Sequence, residues 1–234
     1  VKADYGLECE GGGGKHLSIA HKGVIWFEVE VKGESCHASR PFMGVNAFEK
    51  AAALVMELEK LRKKWSKRRT KFATVDPRMV TPTMVIGGVH KGGVKINVVP
   101  DSCLFTVDRR VLPEENIKAV ITEFKAFVKR AEKKIPGLKA NVRVIMTADP
   151  AAINPKHKLA DIFSEAYKQV TGEKPLRVMS PGFMDMRFLV NYAGIPTIGY
   201  GPGGLRFHGD DESTEVAMLE HCAKTYASFF VNCR

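Results

Sequence analysis

Apolar residues recur along this chain with two periods, and the switches between them mark its elements. Val24-Ile25-Trp26-Phe27-Glu28-Val29-Glu30-Val31 alternates through Phe27, Val29 and Val31 and is rich in β-branched and aromatic residues, which predicts a strand. From Asn46 to about Lys63 the spacing lengthens to three and four through Ala47, Ala51, Leu54, Val55, Leu58 and Leu61, the stripe of an amphipathic helix. Strands follow over roughly Met79 to Val89 and Ile96 to Val111, with His90-Lys91-Gly92-Gly93 between them as a hairpin-like turn. Pro113-Glu114-Glu115 suits the first turn of a second helix, whose stripe is Ile117, Val120, Ile121, Phe124 and Val128; Pro136-Gly137 ends it, and Asn141 to Met146 reads as a last strand. Residues 24–147 thus spell β-α-β-β-α-β, the split βαβ or ferredoxin-like arrangement.

The flanks follow a different rule. Asp4 to Glu10 reads as a short strand broken by four consecutive glycines, Gly11 to Gly14. After residue 148 come a helix from about Lys158 to Val170, a Ser180-Pro181-Gly182 loop and a helix around Asp185 to Tyr192. A short buried strand at Ile195 to Tyr200 and a last helix from about Ser213 to Phe230 complete the chain. Strand alternating with helix predicts a parallel sheet covered by helices.

Composition narrows the class. The 234 residues are 44% hydrophobic, enough for one sizeable core or two smaller ones, and no apolar run approaches the roughly 18 residues that span a bilayer. The five cysteines, Cys9, Cys36, Cys103, Cys222 and Cys233, include no C-x-x-C pair and read as free thiols; with no signal-peptide pattern at the N-terminus, this predicts a cytoplasmic protein. The formal charge is +10, and Lys60, Arg62, Lys63, Lys64, Lys67, Arg68, Arg69 and Lys71 concentrate it between residues 60 and 71. Such a run is either a solvated helix end or a site for an anionic partner.

Several polar groups fall where chemistry is possible, each with a structural alternative. His37, in Gly33-Glu34-Ser35-Cys36-His37-Ala38-Ser39-Arg40-Pro41, sits on a turn between strand and helix, where an imidazole can donate, accept or ligate, or merely bond nearby backbone. His208, with Asp210, Asp211 and Glu212, follows a strand end, where open α/β sheets gather ligands; the acids also suit a helix N-terminus. Asp108-Arg109-Arg110 puts at least one guanidinium on a strand surface, as a carboxylate clamp or a surface ion pair. Asn97 is a turn amide or an oxyanion donor. Asp185 and Arg187 are most simply a capping acid and a surface base.

In order and spacing these residues resemble the M20 metallopeptidases, in particular the group of acetylornithine deacetylase, succinyl-diaminopimelate desuccinylase and carboxypeptidase G2. The match runs through Ala3 to Glu10, His21-Lys22-Gly23, the G-x-x-x-H-A-S-x-P turn at Gly33 to Pro41, Gly44 to Ala47 and Ile96 to Asp101. It continues through Asp108 to Arg110, Gly182 to Phe188 and His208 to Glu212. The resemblance implies an α/β fold, the C-terminal portion of a zinc-peptidase-like catalytic domain with an inserted ferredoxin-like lid and dimerisation domain. Residues 1–22 would be a remnant of the catalytic domain, 23–148 the lid and 149–234 the C-terminal part of the catalytic domain. It implies hydrolysis of the amide bond of N-acyl-amino acids or small peptides, with two divalent metal ions, zinc or else cobalt or manganese. Glu10 and His208 would ligate metal, His37 would donate to the oxyanion from the partner subunit's lid, and Asn97 and Arg110 would hold substrate. Gly182 and Arg187 would line the substrate side.

The chain also departs from the family. Glu10-Gly11-Gly12 stands where Glu-Pro-Thr is usual, and residues 1–9 hold none of the H-x-D ligand pair, bridging aspartate and Glu-Glu general base that precede this region in the family. The chain's H-x-D, His208 to Asp210, follows the last strand, and its Glu-Glu, Glu114-Glu115, starts a lid helix. The expectation is therefore a portion of an enzyme, inactive alone and completed by a missing N-terminal catalytic segment, that dimerises through the lid. The alternative is a basic ferredoxin-like binding module for an anionic partner such as RNA or an acidic carrier protein. RNA-binding sheets of this topology need exposed aromatics on two central strands, and only Phe105 is offered, which argues against nucleic acid.

Overall fold

The computed structural model describes residues 2–207 and 209–233. In chain order the elements are β1 (Gly6–Glu8), β2 (His16–His21), β3 (Gly23–Lys32), α1 (Ala47–Trp65), β4 (Thr83–Gly92), β5 (Ser102–Val111), α2 (Ile117–Lys134), β6 (Lys139–Ala148), β7 (Ala151–Ala152), α3 (Lys158–Thr171), β8 (Leu176–Ser180), β9 (Thr197–Gly199) and α4 (Val216–Asn232). They fall into two compact units: residues 1–22, 70–80 and 150–234 form the first, residues 23–69 and 81–149 the second. Expectation placed residues 70–80 in the ferredoxin-like unit. They instead leave it as an excursion, where the Ala73 carbonyl accepts the Met179 amide at the end of β8.

The second unit is a four-stranded antiparallel sheet in the order β4-β5-β3-β6, the ferredoxin-like arrangement. The pleat sorts side chains by parity. Ile25, Phe27, Val29 and Val31 of β3 and Cys103, Phe105, Val107 and Val111 of β5 face a core shared with Leu54, Leu58 and Trp65 of α1 and Val120, Phe124 and Val128 of α2. Asn46 caps α1 by accepting the Phe48 and Glu49 amides, and Asn116 caps α2 by accepting the Ala119 amide. Helix α2 therefore starts after Pro113-Glu114-Glu115. The sequence places the hairpin turn at residues 90–93, but β4 runs on to Gly92, its register shifted between Ile86 and His90, with Gly87 at φ 84° in the irregularity. Proline at position 100 cannot donate to a ladder, and β5 begins only at Ser102.

Parity also puts Arg109 on the core side of β5. Its side chain is fully buried, with the guanidinium carbon 4.4 Å from the Trp65 ring centroid and an ion pair to Glu115 at 2.7 Å. Burial pushes this guanidinium down while the Glu115 charge holds it up. Arg68 pairs with Glu115 at 2.7 Å and Glu123 at 2.6 Å, and Lys64 with Glu123 at 2.8 Å. Lys60 and Lys134 share Glu57, both at 2.6 Å, and Arg62 pairs with Glu59. Much of the basic run is thus neutralised by acids of α1, α2 and the turn before α2.

The first unit has a mixed five-stranded sheet, where the sequence suggests a parallel one. β1 pairs β9 and β2 pairs β8 in parallel, but β2 meets β7 and β9 antiparallel. Helices α3 and α4 pack against each other, with Phe163 4.9 Å from Tyr200 and 5.3 Å from Phe229 between ring centroids. The helix anticipated at 185–192 is a short turn continuing into a π-helical turn, Phe188–Ala193. All five cysteines are free. Among the described residues, no helix is long and apolar enough to cross a membrane.

Candidate active site

In the ferredoxin-like unit the chain brings His37 and Asn97 together. The turn bearing His37 is closed at its neck by reciprocal Glu34–Val45 backbone bonds of 2.8 and 2.9 Å. Two glycines permit that neck, since a Cβ at Gly33 would lie 2.1 Å from the Val45 carbonyl oxygen and one at Gly44 2.5 Å from that of Glu34. His37 pairs with Val98 in an isolated bridge, the Ala38 amide donates to the Asn97 carbonyl at 2.9 Å, and the Val99 amide donates to the Cys36 carbonyl at 2.9 Å. The Ser39 amide donates to His37 Nδ1 at 3.1 Å, and the Ser39 hydroxyl lies 2.8 Å from the same nitrogen. A nitrogen that accepts a backbone N–H carries the lone pair, so the neutral ring holds its proton on Nε2. The exposed imidazole therefore offers an Nε2–H donor.

Arg110 lies elsewhere in that unit. Asn97 belongs to the loop before β5, whereas Arg110 is eight residues beyond Ser102, roughly 27 Å along the strand at about 3.4 Å per residue. Asp108 holds its guanidinium at 2.8 and 3.1 Å, and itself accepts from Trp26 Nε1 at 2.8 Å. Of the two neighbouring arginines, Arg109 is structural, and Arg110 is half-buried on the opposite face.

In the α/β unit, parallel pairing of β1 and β9 brings the segments after both strands to one sheet edge. Glu10 is exposed there, and its backbone is so close to the loop after β9 that a Cβ at Gly201 would lie 2.8 Å from the Glu10 carbonyl carbon. That loop leads to His208, which lies outside the described residues; its base is closed by Leu205–Ser213 backbone bonds of 2.8 and 3.2 Å. Asp211 is engaged by Arg206 at 2.9 Å. Gly182, half-buried just past β8, has no close neighbour that forbids a side chain.

Arg187 is not the simple surface base that its sequence suggests. Its side chain is only 14% exposed, its guanidinium carbon is 3.9 Å from the Phe188 ring centroid, Asp185 is 3.5 Å away, and Nε has no hydrogen-bond partner among the described residues. The capping acid is Glu8 rather than Asp185: its carboxylate accepts the Asp185 and Met186 amides at 2.8 and 2.9 Å, while burial pushes its pKa up. His21, in the His21-Lys22-Gly23 stretch, is a further polar residue to which its sequence assigns no role. It is fully buried, with Nδ1 bonded to the Lys22 carbonyl at 2.9 Å and Nε2 without a partner among the described residues. Burial lowers its pKa to about 4, and the ring is neutral at pH 7.

Among the described residues no three His, Cys, Asp or Glu side chains converge as a metal site would require, and Glu10 alone does not make one.

The family model for the peptidase dimerisation domain of the M20 group matches residues 19–136. The chain is 24% identical over 212 residues to a succinyl-diaminopimelate desuccinylase of a Nitratiruptor species, covering 91% of this chain and 54% of that protein. It is 25% identical over 210 residues to an acetylornithine deacetylase of Myxococcus xanthus, covering 89% and 52%. A tripeptidase structure from Staphylococcus aureus superposes with a TM-score of 0.77 at 22% identity, covering 100% of this chain and 58% of that one. The chain thus spans about half the length of the curated relatives it matches. By this match the chain belongs to the M20 peptidases and carries their dimerisation domain.

Proposed function

We propose that this chain supplies the substrate-gripping half of a cytoplasmic, M20-type amidohydrolase that cleaves N-acyl-amino acids or small peptides and works as a homodimer. The observation that carries the reading is the separation of His37 and Asn97 from Arg110 along one domain. One protomer's Nε2–H donor and the other's guanidinium would then serve one site. The His37 donor suits a carbonyl oxygen as it becomes a tetrahedral oxyanion, and an arginine steadied by Asp108 suits the carboxylate of the amino-acid half. Asn97 would hold substrate beside His37, and Gly182 and Arg187 would line the substrate side of the α/β unit.

Two divalent ions, zinc or else cobalt or manganese, would activate the attacking water. Glu10 and His208 are this chain's contributions to them, and the general base and remaining ligands come from polypeptide that this chain does not contain. Dimerisation through the ferredoxin-like unit is supported by its open edge. β4 is a terminal strand, and between it and α1 lies a groove of about 890 Å³ whose walls include the exposed Phe48, Met56 and Val85. A second copy adding β4 to β4 would cover this apolar face.

The test is to supply the upstream half of a relative with this chain and assay N-acetyl-amino-acid hydrolysis with metal analysis. Hydrolysis and stoichiometric metal are expected; neither appearing would overturn the reading.

A further inference from the structure

Within the α/β unit a cavity of about 270 Å³ opens beside the residues that follow β1 and β9. It lies between the glycine loop after Glu10 and the loop leading to His208. Its backbone walls are Gly11 to Gly13 and Gly203 to Gly204, which approach so closely that a Cβ at Gly203 would be 2.5 Å from the Gly13 Cα. One side is apolar, from Val75, Val178 and Phe207, and the polar contributions are His16, Ser18 and Ser180. Val75 arrives on the 70–80 excursion, which the Ala73–Met179 bond fastens to β8. Among the described residues no Lys, Arg, Asp or Glu lines the cavity.

We infer that this cavity is the subsite for the acyl group of the substrate and that it takes a short uncharged acyl group in preference to one ending in a carboxylate. The inference rests on the amide-hydrolase reading above and names the substrate class within it. Size does not decide the matter, because 270 Å³ holds about nine water-sized atoms, enough for either acetyl or succinyl. Charge does. A carboxylate entering a cavity walled by apolar side chains, serine hydroxyls, the His16 imidazole and glycine backbone loses hydration without meeting a lysine or arginine among the described residues, whereas a methyl group there gains apolar contact.

N-butyrylglycine and N-succinylglycine differ at the acyl terminus by a methyl against a carboxylate. Methyl NMR of the 234-residue chain, titrated with each at pH 8, above the ordinary titration range of an imidazole, reads the cavity through Val75 and Val178. The expected result is saturable shifts with N-butyrylglycine at affinity on the order of tenfold or more above N-succinylglycine. Val75→Trp and the milder Val75→Phe, at a half-exposed site, should fill the cavity and weaken N-butyrylglycine binding by a similar factor while leaving resonances of residues 23–69 in place. Equal or tighter binding of N-succinylglycine, no binding of either, or binding unchanged in both variants would overturn the inference. Binding as expected with no amide hydrolysed once the upstream half is supplied would sink the amide-hydrolase reading and leave the subsite; hydrolysis that favours the succinyl substrate would do the reverse.

Discussion

Glu115 anchors the end of β5 that carries Arg110, and its removal gives a prediction with a size. Its carboxylate, 8% exposed, accepts from Arg109 at 2.7 Å, from Arg68 at 2.7 Å and from the Leu112 amide at 2.8 Å. Glu115→Ala leaves the fully buried Arg109 guanidinium with the Trp65 face and the Arg110 carbonyl as its remaining contacts. An uncompensated buried charge of this kind costs about 3–5 kcal/mol. Replacing both partners with apolar residues, Arg109→Met with Glu115→Leu, removes the charge together with its counter-ion and should cost less than the single change. Urea unfolding followed by tryptophan fluorescence isolates the effect, because both tryptophans, Trp26 and Trp65, lie in the ferredoxin-like unit. A loss below about 1 kcal/mol in Glu115→Ala, or a double variant weaker than the single, would refute the assignment of Arg109 as a charge that depends on Glu115.

Other outcomes are open to measurement. The His21 imidazole has a folded pKa of about 4 against an ordinary 6.5, so the unfolded chain binds the extra proton between those values. The α/β unit should therefore lose about 3 kcal/mol as pH falls through that window, and His21→Gln should remove the slope. Near-UV tyrosine dichroism reads this, since all five tyrosines lie in that unit. Although burial opposes it, bonds from Lys64, Trp65 and Arg68 hold Glu123 at about 2. The ferredoxin-like unit should therefore keep this contribution above the ordinary carboxylate range near 4.5 and lose it as pH falls toward 2, seen by tryptophan fluorescence. Met56→Glu with Val85→Lys, placing charge on the exposed wall between α1 and β4, should shift light scattering from dimer to monomer without changing the circular dichroism of the chain.

The ferredoxin-like unit was legible in sequence because one face of each strand and one stripe of each helix are buried, so periods of two and 3.6 survive intact in β3, α1 and α2. The α/β unit was less so. Leu17 to His21 of β2 are all buried and so show no alternation, and β8, at five residues, gives too little pattern to separate from loop. The 70–80 excursion was invisible because its place is set by the edge of β8, a partner about a hundred residues away. For the site, order and spacing of residues located the His37 turn, and the geometry added its tautomer and its distance along the fold from Arg110. The roles of Glu8 and His21 escape the sequence because they come from burial and, for Glu8, from backbone amides 177 and 178 residues away, which leave no local signature.

The claim that one site draws on two protomers is tested most directly by mixing variants. With the upstream half supplied, His37→Ala and Arg110→Ala should each lose on the order of a hundredfold or more in kcat/KM on an N-acetyl-amino acid. Co-refolded in equal amounts, they should recover about a quarter of wild-type activity, because half of the dimers are mixed and each mixed dimer has one site with both groups intact. A mixture no more active than the better variant alone would contradict a shared site and place His37 and Arg110 within the same protomer's chemistry.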